Sequence, residues 1–143
     1  MLNFQTVISD LTALPLANCS LLDEATAAAE AATMMYGLRS RAQQKAQANV
    51  LFVDEEIFPQ TLAVIRTRAI PQGMVVKVGS YKDLTFTPDI FGCIVQYPNN
   101  SGSIEDYREF TEQAHAVGCK VAVAADILSL ALLVPPGEWG ADI

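Results

Sequence analysis

The sequence is poor in the residue types that build most metal and redox sites. It contains one histidine, His115, which excludes a histidine-rich metal cluster and makes a histidine-based catalytic triad hard to build. Its three cysteines, Cys19, Cys93 and Cys119, are odd in number and widely spaced, so they predict neither a disulfide framework nor a CxxC metal site. Three free thiols point to a reducing compartment, most simply the cytoplasm.

Basic residues are also scarce. Nine Lys and Arg stand against sixteen Asp and Glu, which gives a formal net charge of −7. Since no basic cluster offsets this charge, we expect neither nucleic acid nor a membrane as a partner. No apolar run is long enough to cross a bilayer, and the N-terminus has no secretory signal pattern. The glycine-rich nucleotide motifs and the G-x-S-x-G nucleophile elbow are absent too.

What the chain does contain is apolar sequence, at 51% of 143 residues, which is enough for one domain with a real core. The run Val121–Ala125 has no polar alternation and ends on Asp126. Such a run is typical of a strand buried on both faces of a parallel sheet. Asp126 would then lie at the carboxyl end of a central strand, where open α/β sheets bind ligands. Alternatively, it caps a short helix over Ile127–Leu133.

The rest of the sequence alternates between helical and extended patterns. Two S-x-x-D sequences predict helix starts with the serines Ser20 and Ser103 as caps, while Pro59 and Gly118 mark a start and an end. The predicted helices are Met1–Leu14, Leu21–Tyr36, Gln60–Ala69 and Ile104–Val117, with a solvated polar segment at Arg39–Ala48. The predicted strands are Asn49–Asp54, Met74–Val78, Leu84–Thr87, Phe91–Tyr97 and Val121–Ala125, with another beginning at Gly140–Ile143. This order predicts an α/β fold, a single three-layer α/β/α domain with a mostly parallel sheet.

Burial can be predicted at a finer level. Val95 and Val123 lie in the middle of apolar runs, so we expect both to be buried. Two other apolar segments, Phe4–Leu11 and Ile127–Val134, carry more hydrophobic surface than a domain of this size easily covers. We therefore expect a homo-oligomer with one of these segments at the contact.

Four long runs carry a resemblance to a known family. They are LANCSLLDEATAAAEAATM, IFPQTLAVIRTRA, DIFGCIVQYPNNSGSIEDY and VAVAADILSLALLVPPGEWGADI. They resemble the N-terminal half, or subunit 1, of the glycine cleavage system P-protein, a glycine dehydrogenase (decarboxylating), and the similarity covers Leu2 to Ile143. The resemblance implies part of the large domain of the pyridoxal-phosphate aspartate-aminotransferase fold type. Residues 1–143 are then expected to be a fragment of a longer chain.

The resemblance also implies an activity and partners. Family enzymes decarboxylate glycine with pyridoxal phosphate and transfer the aminomethyl group to the lipoyl arm of H-protein. They consist of two related halves or subunits, of which only the second holds the cofactor lysine. The implied partners of this chain are therefore the other half of the P-protein and, in the full system, H-protein. The alternative is a stand-alone α/β scaffold or binding module without catalysis.

Matched position by position, the resemblance implies a remnant of a cofactor pocket. Ser20, beside Cys19, falls at a phosphate-binding helix start, and Pro98 falls in the loop after a central strand. Asp126 falls near the acid that pairs with the pyridinium nitrogen in active copies. Ile57 stands near the place of a ring-stacking histidine and offers no polar face.

The lysines argue against chemistry in this chain. None follows the strand that ends at Asp126, where a Schiff base to the cofactor would need one; they are Lys45, Lys77, Lys82 and Lys120. We therefore expect no catalytic residue, no metal and no bound pyridoxal phosphate here. Ser20, Pro98 and Asp126 remain as candidates for the remnant pocket.

Overall fold

In a computed structural model, which describes residues 2–143, a parallel sheet lies between two layers of helices. The helices are α1 Leu2–Thr12, α2 Glu24–Gly37, α3 Arg41–Lys45, α4 Pro59–Ala69 and α5 Arg108–Ala116. The strands are β1 Val50–Asp54, β2 Val75–Gly79, β3 Ile90–Tyr97 and β4 Lys120–Ala125. Their order is β2-β1-β3-β4, and every pair is parallel. The predicted fold class and parallel sheet are confirmed; Met1, where the first predicted helix begins, lies outside the described residues.

The two faces of the sheet bury separate hydrophobic cores. On β1, Leu51 and Val53 face the first core while Phe52 faces the second, as the alternation of a strand requires. Helices α2 and α4 cover the first core, and α5 covers the second. All eight residues of β3 are buried, which is what a central strand between two helical layers needs.

The alanine-rich sequence of α2 lets this helix approach the sheet closely. Ala28, Ala29 and Ala32 are buried against the first core. At the same contact, a Cβ added to Gly92 would lie 2.9 Å from Sδ of Met35, so only glycine fits there without movement. Small residues on both elements therefore set the spacing between α2 and β3.

Two helices begin later than the S-x-x-D sequences predicted. Helix α2 is capped by Asp23, whose carboxylate accepts the backbone N–H of Thr26 at 2.6 Å, while Ser20 is exposed in the preceding loop. Helix α5 begins at Arg108, whose backbone N–H binds the carboxylate of Asp106. Aspartate is as good a helix cap as serine, so Asp23 takes the capping role that the prediction gave to Ser20. Helix α5 has Tyr107 at its N-cap position and no side-chain cap.

Two predicted elements are wrong and one segment holds an extra helix. Leu84–Thr87 is not a strand; its alternation arises because Leu84 and Phe86 pack as a loop against the second core. Ile127–Leu133 forms only a 3-10 turn at Ser129–Ala131 rather than a helix. The polar segment before β1 contains α3, which is stabilised by a capping box between Ser40 and Gln43.

The C-terminal residues lie along the free edge of β4. The N–H of Ile143 donates to the carbonyl of Val121 at 3.3 Å, and its carbonyl accepts the N–H of Val123 at 2.8 Å. Bonds to residues on either side of one partner residue are the pattern of a parallel strand, as predicted for Gly140–Ile143. Val95 is buried as predicted, but Val123 is only half-buried, because β4 has no full strand beyond it.

Candidate functional site

The carboxyl ends of the strands bring two of the three predicted pocket residues close together. The N–H of Asp126 donates to the carbonyl of Tyr97 at 3.0 Å, next to the cis peptide bond between Tyr97 and Pro98. The side chain of Asp126 is exposed, and its Oδ1 accepts the N–H of Leu128 at 3.1 Å. Its role here is therefore that of a cap on the following turn, which was one of the two interpretations of the sequence.

The other two candidates lie in loops. Pro98 is half-buried at the start of a loop that is closed by Asn99, whose Oδ1 accepts the backbone N–H groups of Ser101 and Ser103. Ser20 is exposed before α2, and among residues 2–143 no side-chain hydrogen bond joins it to Asp126. The three residues do not form one polar cluster.

The structure also shows where Lys120, Lys82 and Ile57 lie. Lys120 begins β4 at the end opposite Asp126, and its Nζ binds Oδ1 of Asp142 at 3.2 Å. Lys82 lies beyond the carboxyl end of β2 but pairs with Glu105 at 3.1 Å. Ile57 is buried in the first core, so it presents no ring-stacking surface.

Metal and membrane sites can be assessed in the same part of the chain. Across residues 2–143, no group of three or more His, Cys, Asp and Glu side chains is arranged to hold a metal ion. In that same range, no helix has both the length and the hydropathy to cross a membrane.

The cysteines are free thiols. Cys93 and Cys119 are buried with their Sγ atoms 3.5 Å apart, and burial together with this contact raises the pKa of Cys93.

A cluster of phenols and carboxylates at the carboxyl edge was not anticipated from the sequence. Burial raises the pKa of Asp54, although its Oδ1 accepts the N–H of Tyr81 at 3.2 Å. The hydroxyl of Tyr81 donates to Glu105 at 2.8 Å, and that of Tyr107 donates to the carbonyl of Gln96 at 3.1 Å. Burial raises the pKa of both tyrosines, so they stay neutral and act as fixed hydrogen-bond donors. The sheet topology brings these residues together, and no local pattern predicted it.

The other unanticipated feature is a cavity of about 220 Å³ between α2 and the carboxyl halves of β3 and β4, here called the α2 cavity. Most of its lining is apolar, and its polar lining side chains are those of Glu24, Thr61 and Gln96. The side-chain Oε1 of Gln96 is buried and has no hydrogen-bond partner. The sequence contains a signal for this unpaired glutamine, because a glutamine inside the apolar run FGCIVQY needs a polar partner once it is buried.

Comparison with known proteins shows that the chain is similar to glycine dehydrogenases (decarboxylating) along its whole length. The family model of the glycine cleavage system P-protein matches residues 1–143. A glycine dehydrogenase (decarboxylating) of Bacteroides fragilis is 75% identical over the whole chain, and one of Nostoc punctiforme is 55% identical. A mitochondrial glycine dehydrogenase (decarboxylating) of Dictyostelium discoideum is 51% identical. The chain spans only 14–15% of the length of these relatives.

Two solved structures share the fold. An inhibitor-bound glycine decarboxylase (P-protein) of the glycine cleavage system superposes with a TM-score of 0.83 at 31% identity, covering 99% of this chain and 32% of that one. Apo CalE6, a methionine gamma lyase from Micromonospora echinospora, superposes with a TM-score of 0.69 at 21% identity. The match covers 96% of this chain and 36% of the CalE6 chain. The second likeness concerns the fold alone.

Proposed function

The chain belongs to the glycine cleavage system P-protein family, and we propose that it is a non-catalytic segment of a glycine dehydrogenase (decarboxylating). In the whole enzyme, pyridoxal phosphate supplies the electron sink for glycine decarboxylation, and the aminomethyl group passes to lipoyl H-protein. A family match over all 143 residues and the P-protein fold support this assignment. Three free thiols support a cytoplasmic setting.

The observation that carries the non-catalytic role is the use made of Asp126. Its carboxylate caps the turn at Leu128 and is exposed, whereas an acid that pairs with a cofactor ring must point into a pocket. Lys82, beyond the carboxyl end of β2, forms a largely exposed ion pair with Glu105 and does not follow the strand that ends at Asp126. The segment therefore contributes a sheet and its helices rather than reacting groups.

Its role in the whole enzyme is to present apolar surface to another part of the P-protein. Large hydrophobic side chains are exposed at both ends of the chain, among them Leu16, Leu22, Leu128 and Leu132. Large apolar side chains with this degree of exposure favour contact with other polypeptide. The polypeptide proposed here is the other half or subunit of the same enzyme.

Incubation of the chain with pyridoxal phosphate tests the cofactor part of this proposal. We expect no stoichiometric absorbance band of a lysine-bound cofactor after gel filtration, because the lysines are displaced from the Asp126 site or paired. In a matched sample, borohydride would trap any cofactor bound to a lysine, and peptide mapping would then locate the labelled lysine. A stable band that maps to one lysine would refute the non-catalytic assignment.

Substitution of Asp126 in a complete P-protein tests the catalytic part. Asp126→Asn keeps the shape of the cap but removes the charge, so we expect kcat and KM for glycine decarboxylation to stay within about twofold. Asp126→Ala removes the cap, which should lower stability by about 0.5–2 kcal/mol while leaving kcat unchanged. A loss of kcat in the Asn variant on the order of 100-fold would show that this carboxylate takes part in the chemistry.

A further inference from the structure

Two aromatic hydrogen-bond donors at the carboxyl end of β3 have no partner within residues 2–143. Tyr97 and Trp139 pack edge to face with their ring centroids 6.0 Å apart, and only 5% and 9% of their surfaces are exposed. The hydroxyl of Tyr97 and Nε1 of Trp139 make no hydrogen bond in that range, yet neither is one of the polar atoms that are shut off from solvent without a partner. Both donors therefore reach the protein surface, although the rings that carry them are buried.

These two side chains line a groove of about 210 Å³, here called the Tyr97 groove. Its rim is apolar, because Ile104 and Val134 also line it and both are exposed. Tyr97 follows Gln96 on β3, and successive side chains of a strand point to opposite faces of a sheet. Since Gln96 lines the α2 cavity, the Tyr97 groove lies across the sheet from that cavity, and the two share no lining residue.

The charged groups of the Tyr97 groove are already paired. Asp106 accepts Nε of Arg108 at 2.9 Å, and Glu105 pairs with Lys82 at 3.1 Å. Burial and the nearby carboxylate of Asp106 raise the pKa of Tyr97, so its hydroxyl keeps its proton and remains a donor. The groove thus offers free donors beside an apolar rim, which suits a neutral ligand with carbonyl oxygens and a branched apolar group.

We propose that the Tyr97 groove receives an apolar side chain from the other half or subunit of the P-protein, and that a backbone carbonyl beside that side chain accepts from Tyr97 or Trp139. This rests on the function proposed above and names the place of the contact. The chain spans only 14–15% of the length of its relatives, so most of the polypeptide of such an enzyme lies outside this structure. Tyrosine and tryptophan set into a pocket with an apolar rim are the side chains that contribute most to protein interfaces. The exposed Leu132, two residues before Val134, extends the same apolar surface.

Trp139 is the only tryptophan in the chain, so its fluorescence reports directly on the Tyr97 groove. N-acetyl-leucine methylamide carries two backbone carbonyls and a branched side chain, and it should shift the emission with a millimolar dissociation constant. Two control probes each lack one feature: 3-methyl-1-butanol has no carbonyl, and N-acetylglycine methylamide has no side chain. Both should bind about tenfold more weakly or not at all. Equal binding of all three probes, or no shift with the leucine probe, would overturn the proposal.

Two tyrosine variants test whether the free hydroxyl takes part. Tyr97→Phe keeps the ring and removes the donor, so it should weaken binding of the leucine probe about tenfold. Tyr36→Phe is the matched control, because Tyr36 lies on α2 and does not line the groove, and it should leave binding unchanged. Unchanged binding in Tyr97→Phe would place the probe elsewhere and refute the proposal.

The same two variants in a complete P-protein identify the occupant. There Tyr97→Phe should lower the thermal midpoint relative to Tyr36→Phe, whereas in the isolated chain, where the hydroxyl has no partner within residues 2–143, the two variants should match. No loss in the complete enzyme, or an equal loss in the isolated chain, would overturn the proposal, and the second result would indicate a second copy of the chain in the groove. A lysine-bound cofactor on the isolated chain would refute the non-catalytic assignment without changing this comparison, so the two failures are distinguishable.

Discussion

Asp142 is the residue that joins the C-terminal segment to the sheet and to α5. Its carboxylate accepts the backbone N–H of Val121 at 2.8 Å, Nε2 of His115 at 2.9 Å and Nζ of Lys120 at 3.2 Å. Burial alone would raise the pKa of Asp142, but these hydrogen bonds outweigh it and hold the pKa below its usual value. One carboxylate thus joins the C-terminal segment to β4 and α5.

The lowered pKa of Asp142 predicts a pH-dependent contribution to stability. A group with a lower pKa in the folded state stabilises the fold above its unfolded pKa of about 3.9, and the contribution disappears as pH falls through the folded value. Asp142→Asn should therefore lower the free energy of unfolding at neutral pH by about 1–3 kcal/mol, with the difference shrinking below about pH 4. Urea titrations at several pH values measure this, with exposed Asp89→Asn as the control. An equal difference at every pH would contradict the argument.

Two valines on neighbouring strands differ in burial, and this difference predicts how much stability each loses on substitution by aspartate. Val95 on β3 is fully buried, whereas Val123 at the edge of the sheet is half-buried. Val95→Asp should cost on the order of 3–5 kcal/mol, because it buries an unpaired charge. Val123→Asp should cost less, since its carboxylate can reach water. Thermal and urea unfolding of both variants decide it, and equal losses would show that β4 is covered in solution.

At the level of elements, the docking of α1 depends on Gly137. This glycine lies in the 3-10 turn Pro136–Trp139, and an added Cβ would lie 2.1 Å from the carbonyl oxygen of Ala13 and 2.8 Å from that of Thr12. Backbone atoms at the end of α1 cannot yield as a side-chain tip can. The close approach of the turn to α1 therefore requires glycine.

Gly137→Ala should displace α1 and lower the free energy of unfolding by about 1–3 kcal/mol. Gly37→Ala at the end of α2 is the matched control, since no atom lies within 4 Å of its added Cβ. Thermal unfolding gives the stability, and amide hydrogen exchange of Leu2–Thr12 reports whether the helix has loosened. A Gly137→Ala chain with the midpoint and α1 protection of the original would show that this contact is not required.

The elements that the sequence predicted well are those whose local pattern agrees with their burial. Apolar runs located β1, β3 and β4, because strands that helices cover on both faces leave no room for polar alternation. The strand β2 was also located, although its residues are exposed or half-buried at the edge of the sheet. The strand predicted at Leu84–Thr87 was wrong because a loop that buries every second residue has the same period of burial as a strand. The helix predicted at Ile127–Leu133 was wrong. Its leucines have helical propensity, but after Asp126 the chain makes only a 3-10 turn.

The candidate site was less predictable than the fold. The choice between the two roles of Asp126 depended on where its side chain points, and a sequence carries no such information. The cluster of Tyr81, Tyr107 and Glu105 joins segments that are far apart in the chain, so it follows from the order of the strands alone. Gln96 is different, since a polar residue within a buried run is visible in the sequence.

At the scale of the whole molecule, the two apolar segments singled out in the sequence are both partly uncovered. Along α1, Leu11 packs on the second core while Phe4 and Val7 are exposed. Beyond β4, Leu130 is buried, but Leu128 is 79% and Leu132 is 93% exposed. Removing apolar surface from water contributes roughly 25 cal/mol per Å², so contact between such surfaces favours association.

We therefore predict that the chain forms a homodimer or larger oligomer at micromolar concentration, through Phe4–Leu11 or Ile127–Val134. Sedimentation velocity measures the state of the original chain and of two double variants, Phe4→Lys/Val7→Lys and Leu128→Lys/Leu132→Lys. The four side chains are exposed, so the cores should stay intact, and the variant at the true contact should sediment as a monomer. Each pair of lysines changes the net charge from −7 to −5 (−7 + 2), which reduces repulsion between copies, so dissociation would reflect lost apolar contact. A monomeric original chain, or two variants that both stay associated, would show that neither segment forms the contact.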